Sequence, residues 1–187
     1  MLKRYNDLFA SINEKELDAL MDQHIAESAS SDIRHKVHHL IFKQLAHYKR
    51  FDLIKNLCKR DCYKSSSVAL FAAVEEGYLD IIKYLFKKGH SIPFYLELPA
   101  IGYEQINCLN YFVELGYASD PQVCEYYAKK GDLEHLKLAH KNGCEWDGRT
   151  LYAAKINGHM DCYSYAEKHN CPSYKQYLED LGFDLAD

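Results

Sequence analysis

A 27-residue period runs through this chain and dictates most of what it can fold into. Gly89, Gly116 and Gly143 are spaced at that interval, and Asn170 falls one period later. Gly77, Glu104, Gly131 and Gly158 form a second column, Leu79, Ile106, Leu133 and Met160 a third, and Asp80, Asn107, Glu134 and Asp161 a fourth. Ile82, Leu109, Leu136 and Tyr163, and then Tyr84, Tyr111, Leu138 and Tyr165, complete six chemically coherent columns without an insertion. Self-similarity at a fixed period marks architectures in which one supersecondary unit is stacked on copies of itself.

Each column has a physical meaning. Gly89, Gly116, Gly143 and Asn170 close apolar, helix-periodic stretches, and glycine and asparagine are the residues that accept the left-handed conformation after a helix end. Lys87, Lys88 and Lys141 lie just before that point, where cations favour the negative end of the helix dipole. Four residues beyond lies the column Ser66, Pro93, Asp120, Asp147, which supplies N-caps, with Pro121 at the first helical position. A unit is therefore expected to hold a first helix (Ser67 to Glu76 in the clearest copy), a tight turn at Gly77, a second helix (Leu79 to Lys88) and a short loop. Ala72, Ala73, Ala100, Ala128, Ala153 and Ala154 are small enough for neighbouring units to approach closely.

The stretch from Leu70 through Ala72-Ala73, Gly77 and the apolar second helix to Gly89 resembles an ankyrin repeat. The later segments Lys141 to Asp147, Ala153 to Cys162 and Lys168 to Pro172 resemble the short ankyrin-like repeats of large DNA viruses of amoebae. The likeness spans roughly residues 65–172. The threonine-proline-leucine-histidine signature is absent, and the period is 27 instead of the usual 33. The resemblance implies an all-α chain, an α-solenoid of stacked antiparallel helix pairs whose β-hairpin fingers are reduced or absent.

The flanks complete the expected organisation. Residues 1–64 form a helical N-terminal cap with one degenerate repeat, 65–172 hold four repeats, and 173–187 form a C-terminal capping helix and tail. Ser11-Ile-Asn-Glu14 is a capping-box pattern opening a helix to about Glu27. Ser28 to Ser31 is the expected loop, and Asp32 the cap of a helix reaching Tyr48. Arg50 to Asp61 matches the second helix of a repeat at an offset of 28. Ser173 to Leu181 is the expected last helix, stopped by Gly182. End units of a stack need such polar caps, because each unit otherwise leaves an apolar face open. Capping is the first reading of both flanks, and docking of a second partner by the N-terminal helices is the alternative.

Composition narrows the functional classes. A formal net charge of -4 over 187 residues gives no general field for nucleic acid or acidic membranes. No apolar run approaches membrane-spanning length and no signal-peptide pattern opens the chain. Seven cysteines in such a chain are expected to be reduced thiols of a cytoplasmic protein. His35 and His39 have zinc-compatible i, i+4 spacing on one helix face, but a site needs further converging ligands. Cys108, His135 and Cys162 share the column of Ile81, and Cys144 and Cys171 share that of His90 and Tyr117, so repeat position accounts for most Cys and His. No cysteine carries a nucleophile signature, and the glycines are 27 apart instead of clustered as in a phosphate-binding loop. No cofactor and no catalysis are expected. Lys129, Lys130, His135, Lys137, His140 and Lys141, beside Tyr126 and Tyr127, form the one basic and aromatic stretch that could track a single strand. Glu125, Asp132 and Glu134 interrupt it, and a solvated helix face opposite the apolar stripe is the first explanation.

What remains is a surface. By the ankyrin resemblance, the end of each first helix faces the concave side. That assigns Glu75 and Glu76, Gly102 and Tyr103, Lys129 and Lys130, and Ile156 and Asn157 to binding. The start of each first helix adds Tyr95, Gln122 and Arg149, and the loops add Ile92, Ser119 and Trp146. Tyr, Trp and Arg dominate interface energetics, although Trp146 has a second reading as a ring packed over its neighbouring unit. The expected function is a non-enzymatic protein–protein interaction module, directed at a host factor in the host cytoplasm if the viral resemblance holds. A nucleic-acid-binding helical repeat is the alternative. The chain is expected to be monomeric, or weakly self-associating through its end repeats.

Overall fold

Helices and turns follow the period in a computed structural model that describes residues 8–27, 31–59, 67–89, 93 and 95–183. Among the described residues the regular structure is all helical, with no strand. Both glycine columns adopt left-handed backbone: Gly77, Gly131 and Gly158 have φ of 73°, 73° and 76°, and Gly89, Gly116 and Gly143 have 75°, 72° and 87°. Where glycine is missing the conformation persists, at Glu104 (φ 55°) and Asn170 (φ 62°). Asparagine tolerates it well, whereas a glutamate there costs roughly 1 kcal/mol. The turns inside the helix pairs close identically, the residue after the left-handed position donating to the carbonyl five residues back: Tyr78 to Ala73, Gln105 to Ala100, Asp132 to Tyr127 and His159 to Ala154. That is the Schellman bond, which satisfies carbonyls the helix end would orphan. Phe183 makes the same bond to Leu178 around Gly182.

The chain divides into two compact units, residues 1–94 and 95–187. The first contains α1 (Glu14–Glu27), α2 (Ser31–His47), α3 (Phe51–Leu57), α4 (Val68–Glu75) and α5 (Leu79–Lys87). Here α2 packs on α1, α3 and α4, and α4 pairs with α5. Leu17, Met21, Phe42, Leu45, Leu57, Leu70, Ile82 and Leu85 are buried in this unit. The α1 cap lies two residues later than the Ser11–Glu14 pattern. Asn13 Oδ1 accepts from the Glu16 amide at 3.0 Å while Glu16 Oε2 accepts from the Asn13 amide at 3.0 Å. This register also puts buried Ile12 and buried Leu17 at the positions of a hydrophobic staple, so burial selects the Asn13 box over the Ser11 one. Ser31 is already helical, which places Asp32 inside α2 and not at its cap. Residues 28–30, Ser66 and Ile92 lie outside the described set.

The second unit contains α6 (Glu97–Gly102), α7 (Ile106–Glu114), α8 (Pro121–Lys130), α9 (Leu133–Lys141), α10 (Gly148–Ile156), α11 (Met160–Lys168) and α12 (Tyr174–Asp180). The helices pair as α6 with α7, α8 with α9, and α10 with α11. The first helices pack in order, α6 on α8, α8 on α10 and α10 on α12, and the second helices likewise, α7 on α9 and α9 on α11. Ala100, Ala128, Ala153 and Ala154 are buried between them. Asp120, Asp147 and Ser173 cap α8, α10 and α12 through bonds to the amides of Gln122, Arg149 and Gln176. Pro121 stands at the first position of α8.

One first helix departs from the column. α6 starts at Glu97, after a turn containing Tyr95 at φ 68°, and not just beyond Pro93. Pro99 is the reason. It has no N–H to give to Tyr95, so it is tolerated only in a first turn, and the helix begins two residues before it.

Candidate interaction surface

The turns of the second unit lie beside one another. Lys130 Nζ is 3.9 Å from Glu104 Oε1, which links the α8–α9 turn to the α6–α7 turn. A Cβ built on Gly131 would come within 2.5 Å of the His159 ring, so the α10–α11 turn presses on the α8–α9 turn at a glycine. The ends of the first helices therefore form a continuous row: Tyr103, then Lys129 and Lys130, then Ile156 and Asn157. All five are exposed, Tyr103 by 50% and Ile156 by 61%. Asn157 turns its Nδ2 back to the Ala153 carbonyl at 2.8 Å, and Lys130 sits over the Tyr126 ring at 5.6 Å. Tyr95 and Gln122 are also exposed.

Other expected contact residues are engaged within the fold. Arg149 grips Asp147 through Nε at 3.1 and 3.0 Å and Nη2 at 2.7 Å. Its Nη1 lies 3.4 Å from Glu125, and its guanidinium covers the Tyr177 ring at 5.4 Å. It ties α8, α10 and α12 together, and the bond to Asp147 raises its pKa further. Trp146 takes its second reading: it packs on Leu151, Ala166 and Cys171, and stacks on His140 with ring centroids 3.8 Å apart. Glu75 and Glu76 belong to the first unit. Glu75 bonds Lys43 at 2.7 Å and His39 at 3.1 Å, while Glu76 lies 3.9 Å from Lys43 and 3.8 Å from His47.

No protein-family model, characterised protein or solved structure matches this chain. The surface is therefore read from its own chemistry.

Three features of that chemistry escaped the sequence reading. Tyr152, exposed on α10, stacks on Tyr174 of α12 with centroids 4.2 Å apart, and Tyr174 in turn faces Tyr177. The second is Glu97, which occupies the core column of Leu70, Cys124 and Leu151 yet is buried; its Oε1 accepts from the Ser119 and Asp120 amides at 3.2 and 3.3 Å. A buried carboxylate is retained where backbone donors meet it, and a charge in an otherwise apolar column was the signal for it. The third is a contact that recurs with the period: the thiols of Cys144 and Cys171 each donate to a cap carbonyl, of Asp120 and Asp147 respectively, at 3.3 Å.

The remaining candidates for chemistry are packed. Burial pushes the thiols of Cys108 and Cys162 up to about 11 and those of Cys58 and Cys171 up to about 12, so all four are protonated at neutral pH. Cys124 is raised further, first by its hydrogen bond with Cys144 and then by burial. Cys62 lies outside the described residues. Among the described residues no group of three or more His, Cys, Asp or Glu is placed to hold a metal ion, and none of the helices is long and apolar enough to cross a membrane. The basic stretch is divided: His135 is held by Asp132 at 2.8 Å, Lys137 covers Tyr165 at 5.6 Å, His140 lies under Trp146, and Tyr127 is fully buried with its hydroxyl on Asn110.

Proposed function

We propose that the chain is a non-enzymatic, ankyrin-type protein-interaction module whose helix pairs stack as an α-solenoid, with the ends of the first helices in the second unit as its binding edge. One observation carries this reading. The row Tyr103, Lys129, Lys130, Ile156, Asn157 is exposed and contiguous while its chemical type changes from repeat to repeat, although the column Ala100, Tyr127, Ala154 of the same helices is buried throughout. A surface released from packing is free to vary, and stacked repeats present such surfaces to partners. Large exposed aromatic and aliphatic side chains at the edge supply the apolar contact that a protein partner would bury. The divided basic stretch leaves the nucleic-acid alternative without a continuous cationic track.

The test is a capture experiment with the full chain bearing Tyr103→Ala, Lys130→Ala and Ile156→Ala together. Because all three side chains are exposed, the helical circular dichroism is expected to stay intact. Proteins that bind the wild type saturably are expected to be lost from the triple variant. Retention of all of them on a folded variant sinks this assignment.

A further inference from the structure

The C-terminal halves of α3 and α5, in the first unit, carry lysines and no carboxylate. Leu53 to Lys59 holds Lys55 and Lys59, and Ile81 to Lys88 holds Lys83, Lys87 and Lys88. Lys55 and Lys83 share one repeat column, and Lys59 and Lys87 another, at the 28-residue offset of this first repeat. Each pair therefore takes the same place on its helix. The half-buried Tyr84 ring brings the two helices together: Lys55 Nζ reaches it from α3 at 5.2 Å and Lys88 Nζ from α5 at 5.9 Å. All five lysines are exposed, and Lys55, Lys59, Lys87 and Lys88 have no ion-pair partner among the described residues. Lys59 Nζ donates instead to Asn56 Oδ1 at 3.0 Å.

Carboxylates approach this face only at its margins. Asp52 and Asp80 stand in the first turns of α3 and α5, and Asp52 lies 3.7 Å from Arg50. From α1, Glu14 accepts from Asn56 Nδ2 at 3.1 Å. Glu75 and Glu76, at the end of α4, are taken by α2. With Asp52, Asp80 and Glu14 all counted, the five lysines and Arg50 still leave the face positive. Cations in a last turn favour the helix dipole, yet the fold does not demand them, since the Lys59–Lys87 column reads Glu114 in α7. In the second unit the two columns read Asn110–Glu114, Lys137–Lys141 and Ser164–Lys168, so lysine pairs do not recur there in adjacent repeats.

We infer that this face binds an acidic lipid surface, independently of the binding edge in the second unit. Lysines one turn apart on a helix are separated by about 6 Å along its axis. Lysine is a point charge on a flexible stem and lacks the arginine fork that grips one phosphate. Clusters of four or more such cations suit a dense array of anionic headgroups. Charges beyond about 10 Å are screened at 0.1 M salt, so a headgroup layer meets the local lysines and not the formal -4 of the chain. None of the exposed large hydrophobic side chains lies on α3 or α5. Attraction here is therefore electrostatic, without the apolar centre that a protein partner would bury. Single-stranded nucleic acid needs open rings for its bases, and Tyr84 is half-buried between Lys55 and Lys88. Duplex binding draws its strength from many phosphate contacts along a track, and these lysines occupy little more than one turn of each helix.

The experiment sediments the full chain with phosphatidylcholine vesicles containing phosphatidylserine. Binding is expected to fall as salt rises and to be absent on pure phosphatidylcholine. The Lys87→Glu, Lys88→Glu double variant is expected to lose about tenfold or more in affinity. Its control is Lys141→Glu, Lys168→Glu, at exposed lysines ending α9 and α11. Net charge and helix-end chemistry change alike in the two doubles, yet the control should stay within about twofold of the wild type. Lys55→Gln, Lys59→Gln, on the α3 side, should weaken binding several-fold and carries the test if the α5 variant fails to fold. Equal binding to pure phosphatidylcholine, equal loss in the control, full binding by both lysine-face variants, or no binding at all overturns the inference. So does a DNA duplex that stays bound at salt which strips the protein from vesicles, because it assigns the face to nucleic acid.

Discussion

In the first unit, Glu75 and Glu76 end α4 and are clasped from α2 by His39, Lys43 and His47, three side chains at successive i, i+4 positions. In the second unit the same two columns read Gly102–Tyr103, Lys129–Lys130 and Ile156–Asn157, and they face solvent. The packing columns are alike in both units, as the left-handed turns at Gly77, Gly131 and Gly158 attest. The difference lies in the neighbour. α2 offers three basic side chains, His39, Lys43 and His47, to the end of α4, whereas α6, the first helix before α8, is only six residues long and carries no basic side chain. A position that no fold contact requires can be given to structure in one unit and left open in another.

The largest effect should come from the closest contacts inside the second unit. A Cβ on Gly148 would lie 2.3 Å from the Ser173 carbonyl oxygen, a backbone atom that moves only if α12 moves. Gly148→Ala should cost about 2 kcal/mol in denaturant unfolding. Gly102→Ala, where the added methyl meets nothing within 4 Å, should be neutral or slightly stabilising. Equal losses at the two sites would mean that α12 is not seated on α10 as described. Next in size is Asp147→Ala, which removes the α10 cap and frees Arg149 at once. It should cost about 1.5 kcal/mol, against about 1 kcal/mol for Asp120→Ala, which removes a cap alone. Thermal melts of both variants give the comparison.

The clasp offers a more direct way to break the contrast between the units. Lys43→Ala removes the 2.7 Å ion pair from Glu75, whose side chain is only 14% exposed. A loss of about 0.5–1 kcal/mol is expected, shrinking in high salt. Lys129→Ala, on the open edge, should change stability by less than about 0.5 kcal/mol at any salt. If the two lysines behave alike in unfolding experiments, the first unit's column is no more committed to structure than the second's.

Periodicity made the helices, their stops and the left-handed positions legible, because a column of glycines needs no partner to be interpreted. It reached even Glu104, where the register overrides the residue's own preference. It failed where one residue outside the repeat pattern decides. Pro99 delays the start of α6, and buried Ile12 and Leu17 select Asn13 over Ser11 as the α1 cap. Of the expected contact residues, Tyr103, Lys129, Lys130 and Asn157 do lie together at the turns, because helix ends are exposed wherever the column is free. The engagement of Arg149 and Trp146 was hidden for a different reason. It depends on side chains from neighbouring repeats, Glu125, Tyr177, His140 and Cys171, whose directions a period does not specify.

Trp146 also gives the smallest effect its own reporter, since it is the only tryptophan in the chain. His140 stacks on it, bonds the Tyr165 hydroxyl through Nδ1 at 3.0 Å, and faces His169 at 5.5 Å between ring centroids. Burial, and then the nearby His169, hold the His140 pKa below its ordinary value. The folded state therefore favours neutral imidazole more than the unfolded state does. Stability should be fully present above the unfolded histidine value of about 6.5, decline as pH falls below it, and level off once folded His140 has taken its proton. The loss should be well under about 1 kcal/mol, because the ring is partly exposed and solvent screens the charge. Tryptophan fluorescence should fall over the same window, as a charged imidazole stacked on the indole quenches it. His140→Phe keeps a ring on Trp146 but cannot titrate, so it should abolish the fluorescence change. A fluorescence transition that survives His140→Phe would assign the pH sensitivity elsewhere and leave Trp146 a packing residue alone.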